Sequence, residues 1–486
     1  MNQEKTFIGQ PRGLSTLFFT EMWERFSYYG MRAILLYFMY DAVSNGGLGL
    51  SKPTAVAIMS IYGSLVYMSS IVGGWISDRL LGSYKTVFYG GVFIMLGHIV
   101  LATPFGLPAL FISMILIVIG TGMLKSNASG MVGHLYAPED LRRDAGFSIF
   151  YMGINIGALL APIIVGTLGQ KVNYHLGFSI AAIGMFFGLL QYVIQGKKSL
   201  AHIGQEPTHP LLGEEKKVFT RNISLGLLFV VVLFGGAALL GSLTVDFFIN
   251  SISVLGIFLP IYYFTKMLRS KEVTSEEKKK VRAYIPLFIA AIIFWSLEEQ
   301  GSSILALFAA ERTQATIFGI TIPASLYQTL NPLFVVILTP VFVALWTKMG
   351  ARQPKTEVKF AIGLIMAGLS FVLLMFPSML FGVDHRVSPI WLILSFFIMI
   401  AGEMCLSPVG LSVTTKLAPK AFEAQTLAIW LLADASSQAI NAQIARFYTP
   451  STEGMYFAVV GGVAVIGGLI LYAARGSIRQ LIGNIH

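Results

Sequence analysis

Apolar runs of roughly 20 residues recur along almost the whole chain, with short polar breaks between them. A helix needs about 20 apolar residues to cross the hydrocarbon core of a bilayer. The pattern therefore predicts fourteen membrane-spanning helices in groups of six, two and six. They are expected near residues 14–40, 54–77, 85–103, 108–128, 146–169 and 174–195, then 222–243 and 247–268, then 283–309, 324–347, 358–381, 389–414, 421–447 and 455–474.

Composition supports an all-α membrane protein. Of the 486 residues, 55% are hydrophobic and only 12% are charged, whereas an ordinary soluble domain carries about 25% charged residues. The single cysteine, Cys405, lies in an apolar stretch, so no disulfide forms within the chain. The formal net charge of +10 is scattered through loops, a distribution that does not indicate a nucleic-acid partner.

The loop charges predict the orientation of the chain. If the N-terminus is cytoplasmic, the only basic residues on the extracellular side are Lys52, Lys171, Arg312, Arg386 and Arg446, and most of the others lie on the cytoplasmic side. Cytoplasmic loops carry an excess of Lys and Arg, so both termini are expected in the cytoplasm. We therefore expect a multi-pass protein of the cell membrane, in contact with membrane lipid.

The first predicted span carries an unusual set of charges. Glu21, Glu24, Arg25 and Arg32 fall, with two tyrosines, within an arc of about 140° on a helix. Each central charge would cost about 2.5 to 3.5 kcal/mol if it faced lipid. The stripe must therefore face protein or water, as an internal ion pair that holds helices together or as part of a functional site.

Ionisable residues occur in the spans of both halves. Lys125 lies in the fourth span, Glu298 and Glu299 lie in the first span of the last group, and Glu403 lies in the fourth span of that group. A buried carboxylate that pairs with a cation when ionised, and leaves it when protonated, is a switch suited to a proton relay. A static ion pair uses the same residue types, so both interpretations stay open at this point.

Two motifs and one loop make the chain recognisable. Residues 21–30 read E-M-W-E-R-F-S-Y-Y-G, which resembles the E-x-x-E-R-F-x-Y-Y-G signature of the proton-dependent oligopeptide transporters, a branch of the major facilitator superfamily. The loop at 73–85 is similar to the G-x-x-x-D-R loop of that superfamily. A second family motif, F-x-x-F-Y-x-x-I-N-x-G, is matched by Phe147, Phe150, Tyr151, Ile154, Asn155 and Gly157.

The resemblance implies the major facilitator fold. Two six-helix bundles are expected at 1–196 and 282–486, with two extra inserted transmembrane helices in a cytoplasmic linker at 197–281. It also implies the site residues. Proton coupling is expected to use Glu21, Glu24, Arg25, Arg32, Lys125 and Glu299. Substrate binding is expected at Arg25, Tyr29, Tyr67, Lys125, Asn155, Trp295, Asn331, Glu403 and Trp430.

Two charge pairs resemble gates in this family. Arg32 with Glu299 is expected to close the extracellular side, and Lys125 with Glu403 the cytoplasmic side. Ser126 stands where the family often has a proline, which leaves the direction of Lys125 open. Asp434 has no cation partner that the sequence identifies, and we interpret it either as a polar pocket wall or as a helix contact.

The sequence thus predicts a proton-coupled symporter that imports di- and tripeptides by alternating access. We expect a functional monomer with no metal and no cofactor other than the proton. Alternatives are a secondary transporter of another small zwitterionic or anionic solute, or a peptide sensor that does not transport. A membrane enzyme is disfavoured because the chain has neither H-E-x-x-H nor G-x-x-x-x-G-K-[ST].

Overall fold

The structure of the chain is a computed structural model that describes residues 6–137, 140, 142–200, 202–317 and 319–482. Residues 1–5 and 483–486, which include the termini that we expect in the cytoplasm, lie outside the described residues. So do the outer limits of the two predicted bundles. The described chain is almost entirely helical, as the apolar runs predict.

The first six predicted spans are occupied by helices α1 to α7. Two of these helices continue into π-helical turns, at Ser77–Leu81 after α2 and at Pro162–Gly166 between α5 and α6. Pro162 has no N–H to donate to the preceding turn, which favours such an irregular segment. The bounds are α1 Arg12–Tyr40, α2 Lys52–Ile76, α3 Ser83–Leu101, α4 Leu107–Gly133, α5 Arg143–Ala161, α6 Thr167–Lys171 and α7 Tyr174–Ser199.

Two long helices follow, α8 Gly213–Leu239 and α9 Val245–Arg269, at the places of the two extra predicted spans. Most apolar side chains of α8 are exposed, whereas α9 packs against α2. The ring of Phe219 stacks on Trp75 with a centroid distance of 4.2 Å.

The last part of the chain contains helices α10 to α17 and a short hairpin. Strands β1 Thr316–Ile317 and β2 Ile320–Thr321 pair antiparallel, with Thr316 opposite Thr321. The helices are α10 Ser275–Glu298, α11 Ile304–Glu311, α12 Leu330–Met349, α13 Thr356–Phe381, α14 Ile390–Leu417, α15 Glu423–Ile444, α16 Glu453–Ala473 and α17 Arg475–Ile482. Short 3₁₀ segments occur at Val43–Asn45, Glu299–Ser302, Ala324–Thr329, Gly350–Arg352, Lys420–Phe422 and Ala445–Phe447.

Local sequence explains where several helices begin. Helix α10 starts with a capping box, in which the Thr274 side chain accepts the Glu277 N–H and the Glu277 carboxylate accepts the Thr274 N–H. This arrangement satisfies two of the backbone donors that a helix N-terminus leaves free. Ser51 caps α2 in a similar way by accepting from the Thr54 N–H.

Small residues allow the closest helix contacts. A Cβ added at Gly90 of α3 would lie 2.7 Å from the carbonyl oxygen of Gly120 in α4, and one at Gly120 would lie 2.5 Å from that of Gly90. Helices in a bilayer associate through such close packing because lipid removes the hydrophobic force between them. Within the second half α13 packs extensively on α14 and α16, and the two halves meet mainly where α2 contacts α15.

In the described part of the chain, twelve helical segments are long and apolar enough to cross a membrane. The other two predicted spans, 14–40 and 421–447, are occupied by α1 and α15, which are not among the twelve. Helix α1 contains the four charges of the first motif. The structure therefore confirms a multi-pass helical architecture, while the number fourteen stays a prediction.

Candidate functional site

A cavity of about 370 Å³ lies between the two halves of the described chain. Its wall is built by α1, α2, α4 and α5 on one side and by α10, α12, α14, α15 and the turn after α10 on the other. Most predicted site residues meet here. Those in the wall are Glu21, Arg25, Tyr29, Arg32, Tyr67, Lys125, Asn155, Trp295, Glu299, Asn331 and Glu403.

The charges of the first motif form one buried cluster. Arg25 Nε lies 3.1 Å from Glu21 Oε1, one helical turn before it. The same nitrogen lies 2.5 Å from Glu24 Oε2. Glu24 is fully buried and is not in the cavity wall, unlike Glu21 and Arg25. The guanidinium therefore faces the cavity with one carboxylate beside it and another behind it.

The Glu299 carboxylate bonds to side chains from both halves of the chain. Its carboxylate forms a buried ion pair with Arg32 of α1, which is the predicted extracellular gate pair. The Tyr67 hydroxyl donates a hydrogen bond to Glu299 Oε1 at 3.1 Å, and Gln438 Nε2 donates to Oε2 at 2.5 Å. Gln438 was not singled out in the sequence, because a lone amide in a span carries no motif.

The side chains of the other predicted gate pair, Lys125 and Glu403, are not in contact. No ion pair within 4.0 Å joins Lys125 to Glu403 among the described side chains. The ammonium of Lys125 instead lies 4.3 Å from the centroid of the Tyr67 ring. It shares the cavity wall with the carboxylates of Asp434 and Glu299. In this conformation Lys125 thus turns toward the Glu299 network rather than toward Glu403.

Two asparagines of the predicted substrate site lie on opposite walls. Asn331 Nδ2 donates to Glu298 Oε1 at 2.6 Å, and Asn155 Nδ2 donates to the Tyr151 carbonyl at 2.9 Å. Glu298 lines the cavity beside Glu299, although the predicted set of site residues contains only the second of these neighbours. Adjacent residues on a helix point about 100° apart, so the sequence alone did not place both in one wall.

The structure does not bring Trp430 to the cavity wall. Its side chain is 9% exposed and its indole covers Gly410, where an added Cβ would overlap the ring. Trp295, by contrast, lies in the wall. The sequence predicts that an aromatic residue lies in a span, but it does not show whether the ring faces the cavity or a neighbouring helix.

One end of the cavity is closed and the other continues into a second space. On the closed side, Lys52 Nζ pairs with Glu311 Oε1 at 2.7 Å, and Gln170 accepts the Ser325 N–H at 2.8 Å. At the other end, a space of about 500 Å³ shares Ser129 with the central cavity. That space reaches the loop between α4 and α5, which the loop charges predict to be cytoplasmic.

Carboxylates outnumber cations in the wall. Five carboxylates face three cations. They are Glu21, Glu298, Glu299, Glu403 and Asp434 against Arg25, Arg32 and Lys125. Burying an unpaired charge is expensive, so the surplus favours binding of protons or of a ligand ammonium group. Within the residues that the structure describes, no cluster of His, Cys, Asp or Glu has metal-binding geometry.

Comparison with known sequences decides the family. The family model PTR2, described as the POT family, matches residues 84–460. The chain belongs to the POT family. This result confirms the resemblance that the two motifs carry, and it agrees with the rejection of an enzyme, because the relatives below are named as transporters.

This POT-family chain is similar to other proteins over nearly the full length of both sequences. It is 53% identical over 491 residues to the "Di-/tripeptide transporter" of Lactococcus lactis subsp. lactis (strain IL1403), covering 99% of this chain and 98% of that protein. It is 55% identical over 469 residues to the "Uncharacterized transporter YclF" of Bacillus subtilis (strain 168), covering 96% and 94%. The crystal structure of "peptide transporter POT in complex with sulfate" superposes with a TM-score of 0.96 at 55% identity, covering 98% of this chain and 97% of that one.

Proposed function

We propose that this chain is a proton-coupled symporter that imports di- and tripeptides by alternating access. The observation that carries the proposal is the buried network in which one carboxylate, Glu299, bonds Arg32, Tyr67 and Gln438 beside a cavity with charges of both signs. The di-/tripeptide transporter of Lactococcus lactis, 53% identical, supports the substrate class.

The cavity wall matches the chemistry of a short zwitterion. A peptide carboxylate would bind between the guanidinium of Arg25 and the ammonium of Lys125, since charged donors hold carboxylates best. The peptide ammonium would bind Glu403 or Glu298 on the opposite half. Trp295 and Tyr29 offer aromatic faces, which accept many side chains because packing on a ring tolerates different shapes.

The same wall argues against a purely anionic solute. Five carboxylates face the cavity against three cations, so an anion would meet net repulsion unless several protons bound with it. A zwitterion brings its own cation to the surplus carboxylates. We therefore favour peptides over anions as cargo.

Alternating access would follow from the two gate pairs. Protonation of Glu299 removes the charge that holds Arg32, so the closed side loses an ion pair between the halves. Contact of Lys125 with Glu403 would close the opposite side, and the halves would rock about the central cavity. A proton moving down a potential of 100 mV supplies about 2.3 kcal/mol toward this cycle.

The topology belongs to the same proposal. Helices α1 and α15 would span the membrane with the twelve apolar segments, their polar faces turned to the cavity rather than to lipid. Bundles at 1–196 and 282–486 would flank a linker at 197–281 that contains α8 and α9. Both termini would be cytoplasmic, and the protein would act in the cell membrane as a monomer, with the proton as coupling ion and no cofactor.

Transport by purified protein in liposomes tests the proposal. With an acidic exterior and a negative interior, the protein should accumulate radiolabelled dialanine above its external concentration, and an uncoupler should abolish that accumulation. Excess unlabelled dialanine should compete, and free alanine should not. Binding without accumulation would identify a sensor instead, and accumulation that survives the uncoupler would exclude proton coupling.

A further inference from the structure

Asp434 is a carboxylate of the cavity wall that the proposed cycle does not use. It lies on α15, one helical turn before Gln438, and is 7% exposed. In the part of the chain that the structure describes, its Oδ1 atom is buried without a hydrogen-bond partner. A buried carboxylate oxygen without a partner is costly unless a nearby cation or a proton stabilises it.

The charged and titratable groups around Asp434 come from four helices and the turn after α10. They are Arg32 of α1, Tyr67 of α2, Lys125 of α4, Glu298 at the end of α10 and Glu299 in the turn that follows. Arg32 is already paired with Glu299. Lys125 is therefore the cation left for Asp434 in this set.

Of the three cations in the described cavity wall, Lys125 is the one without an ion pair within 4.0 Å, since Arg25 pairs with Glu21 and Glu24 and Arg32 pairs with Glu299. Lys125 and Asp434 line the same cavity but belong to different halves. They are not in direct contact, because the Lys125 ammonium lies over the Tyr67 ring. Opposite charges in a partly buried cavity attract each other more strongly than in bulk water, because the protein interior screens charge less.

We propose that Asp434 is a positioning residue that holds Lys125 on the closed side of the cavity, in competition with Glu403 and with the carboxylate of a bound peptide. The proposal deepens the proposed transport function and rests on it. In this conformation Lys125 lies over the Tyr67 ring and lines the same cavity as Asp434. It would leave Asp434 when a peptide carboxylate binds, and it would reach Glu403 when the opposite side closes.

This competition has a consequence for ligand binding. Protonated Asp434 no longer attracts Lys125, so the ammonium becomes available to the peptide. Peptide binding should thus strengthen as the pH falls through the titration of Asp434. Removing that carboxylate should leave Lys125 available at every pH.

A double-mutant cycle tests the pair without any transport. Lys125→Gln, Asp434→Asn and the double variant are compared by their thermal unfolding temperatures in detergent. The double variant should be less destabilised than the sum of the two single variants, because each single change removes the same attraction. A matched cycle of Lys125→Gln with Glu403→Gln should be additive in the conformation described here. Additive shifts in the Asp434 cycle would overturn the proposal even if the protein transports peptides.

Dialanine binding tests the competition. In Asp434→Asn the dissociation constant at pH 7 should fall by about fivefold or more, the lower range for coupled binding equilibria, and its dependence on pH should flatten. Asp434→Glu, which restores a carboxylate, should return the pH dependence. Asp246→Asn, an exposed carboxylate at the start of α9, serves as a control with unchanged binding.

Two further outcomes separate the possible roles of Asp434. Weaker binding in Asp434→Asn, restored in Asp434→Glu, would make Asp434 a direct ligand of the peptide ammonium and would overturn the positioning role. If the wild-type protein binds no dialanine, the proposed peptide substrate fails, while the double-mutant cycle still decides whether Asp434 holds Lys125.

Discussion

Arg32 of α1 and Glu299, in the turn after α10, form a buried ion pair across the two halves of the chain. The same carboxylate accepts hydrogen bonds from Tyr67 of α2 and Gln438 of α15. One ionisable group therefore holds side chains from three helices. Its charge and the contact between the halves are linked, because loss of the charge weakens all three interactions together.

Glu299→Gln should separate proton coupling from substrate exchange. Glutamine keeps the size of the side chain and can still accept hydrogen bonds, but it cannot bind or release a proton at neutral pH. We expect gradient-driven uptake of dialanine to fall by about tenfold or more, the scale of one lost charged interaction. Counterflow exchange between equal concentrations should continue, and both rates are measured in the same liposomes.

A surface pair gives the control for this experiment. Glu311 pairs with Lys52 where the two side chains are 31% and 48% exposed. Exposed pairs contribute about 0–1 kcal/mol, so Glu311→Gln should change both uptake and counterflow by less than about fivefold. If Glu299→Gln keeps its gradient-driven uptake, the proton acceptor lies elsewhere.

The two predicted pocket tryptophans should behave differently when each is replaced by alanine. Trp295 lines the cavity, so Trp295→Ala should raise the KM for dialanine, with a smaller effect on the unfolding temperature. Trp430 packs on Gly410 away from the wall, so Trp430→Ala leaves a void. Such a change costs about 3–5 kcal/mol of stability in a core. Thermal unfolding and uptake kinetics of both variants check the contrast, and a KM effect in Trp430→Ala alone would contradict it.

Sequence predicted the helical architecture well because the relevant features are local. The length of an apolar run reports the bilayer thickness directly, and a long helix lies at each of the fourteen predicted places, including the charged stripe of α1. The stripe also had to face a polar interior on energetic grounds alone. Arg25 and Arg32 do line the cavity.

The rest depends on helix rotation and on conformation, which local patterns do not contain. Trp430 is a pocket residue by resemblance, yet its helix turns the ring toward α14. Lys125 and Glu403 do not form an ion pair in this conformation, and a local sequence pattern does not contain the conformation in which two distant residues would meet. The surroundings of Asp434 required coordinates, since Tyr67 and Lys125 come to the same cavity wall from distant parts of the chain.

Arg312 should be more important for stability than its position near a loop suggests. Its Nε donates to Glu453 Oε1 at 2.9 Å, and its other nitrogens donate to the carbonyls of Gly382 at 2.7 Å and Val383 at 2.9 Å. Arg312→Gln would leave the buried Glu453 carboxylate without its cation, a loss of about 3–5 kcal/mol. We expect a clear fall in the thermal unfolding temperature in detergent.

Lys52→Gln provides the comparison, because it breaks the partly exposed ion pair with Glu311, the residue directly before Arg312. Its unfolding temperature should stay close to that of the wild type. Equal shifts of the unfolding temperature in the Arg312 and Lys52 variants would show that burial of the Arg312 ion pair adds nothing to the stability of the protein.

The close packing of helices at Gly157 explains why the second motif ends in glycine. Helix α5 approaches α1 so closely there that an added Cβ would overlap the carbonyl oxygen of Met22 and lie 3.1 Å from the Cβ of Arg25. Gly157→Ala should force the helices apart beside Arg25 and Asn155, at a cost of about 1–3 kcal/mol for overpacking. Both the unfolding temperature and the affinity for dialanine should therefore fall.

Gly462→Ala is the matched control, since a Cβ there has nothing within 4 Å and alanine stabilises a helix interior by about 0.5–1 kcal/mol. If the two alanine variants unfold at the same temperature and bind dialanine equally, the contact between α1 and α5 tolerates a methyl group, and the motif glycine needs another explanation.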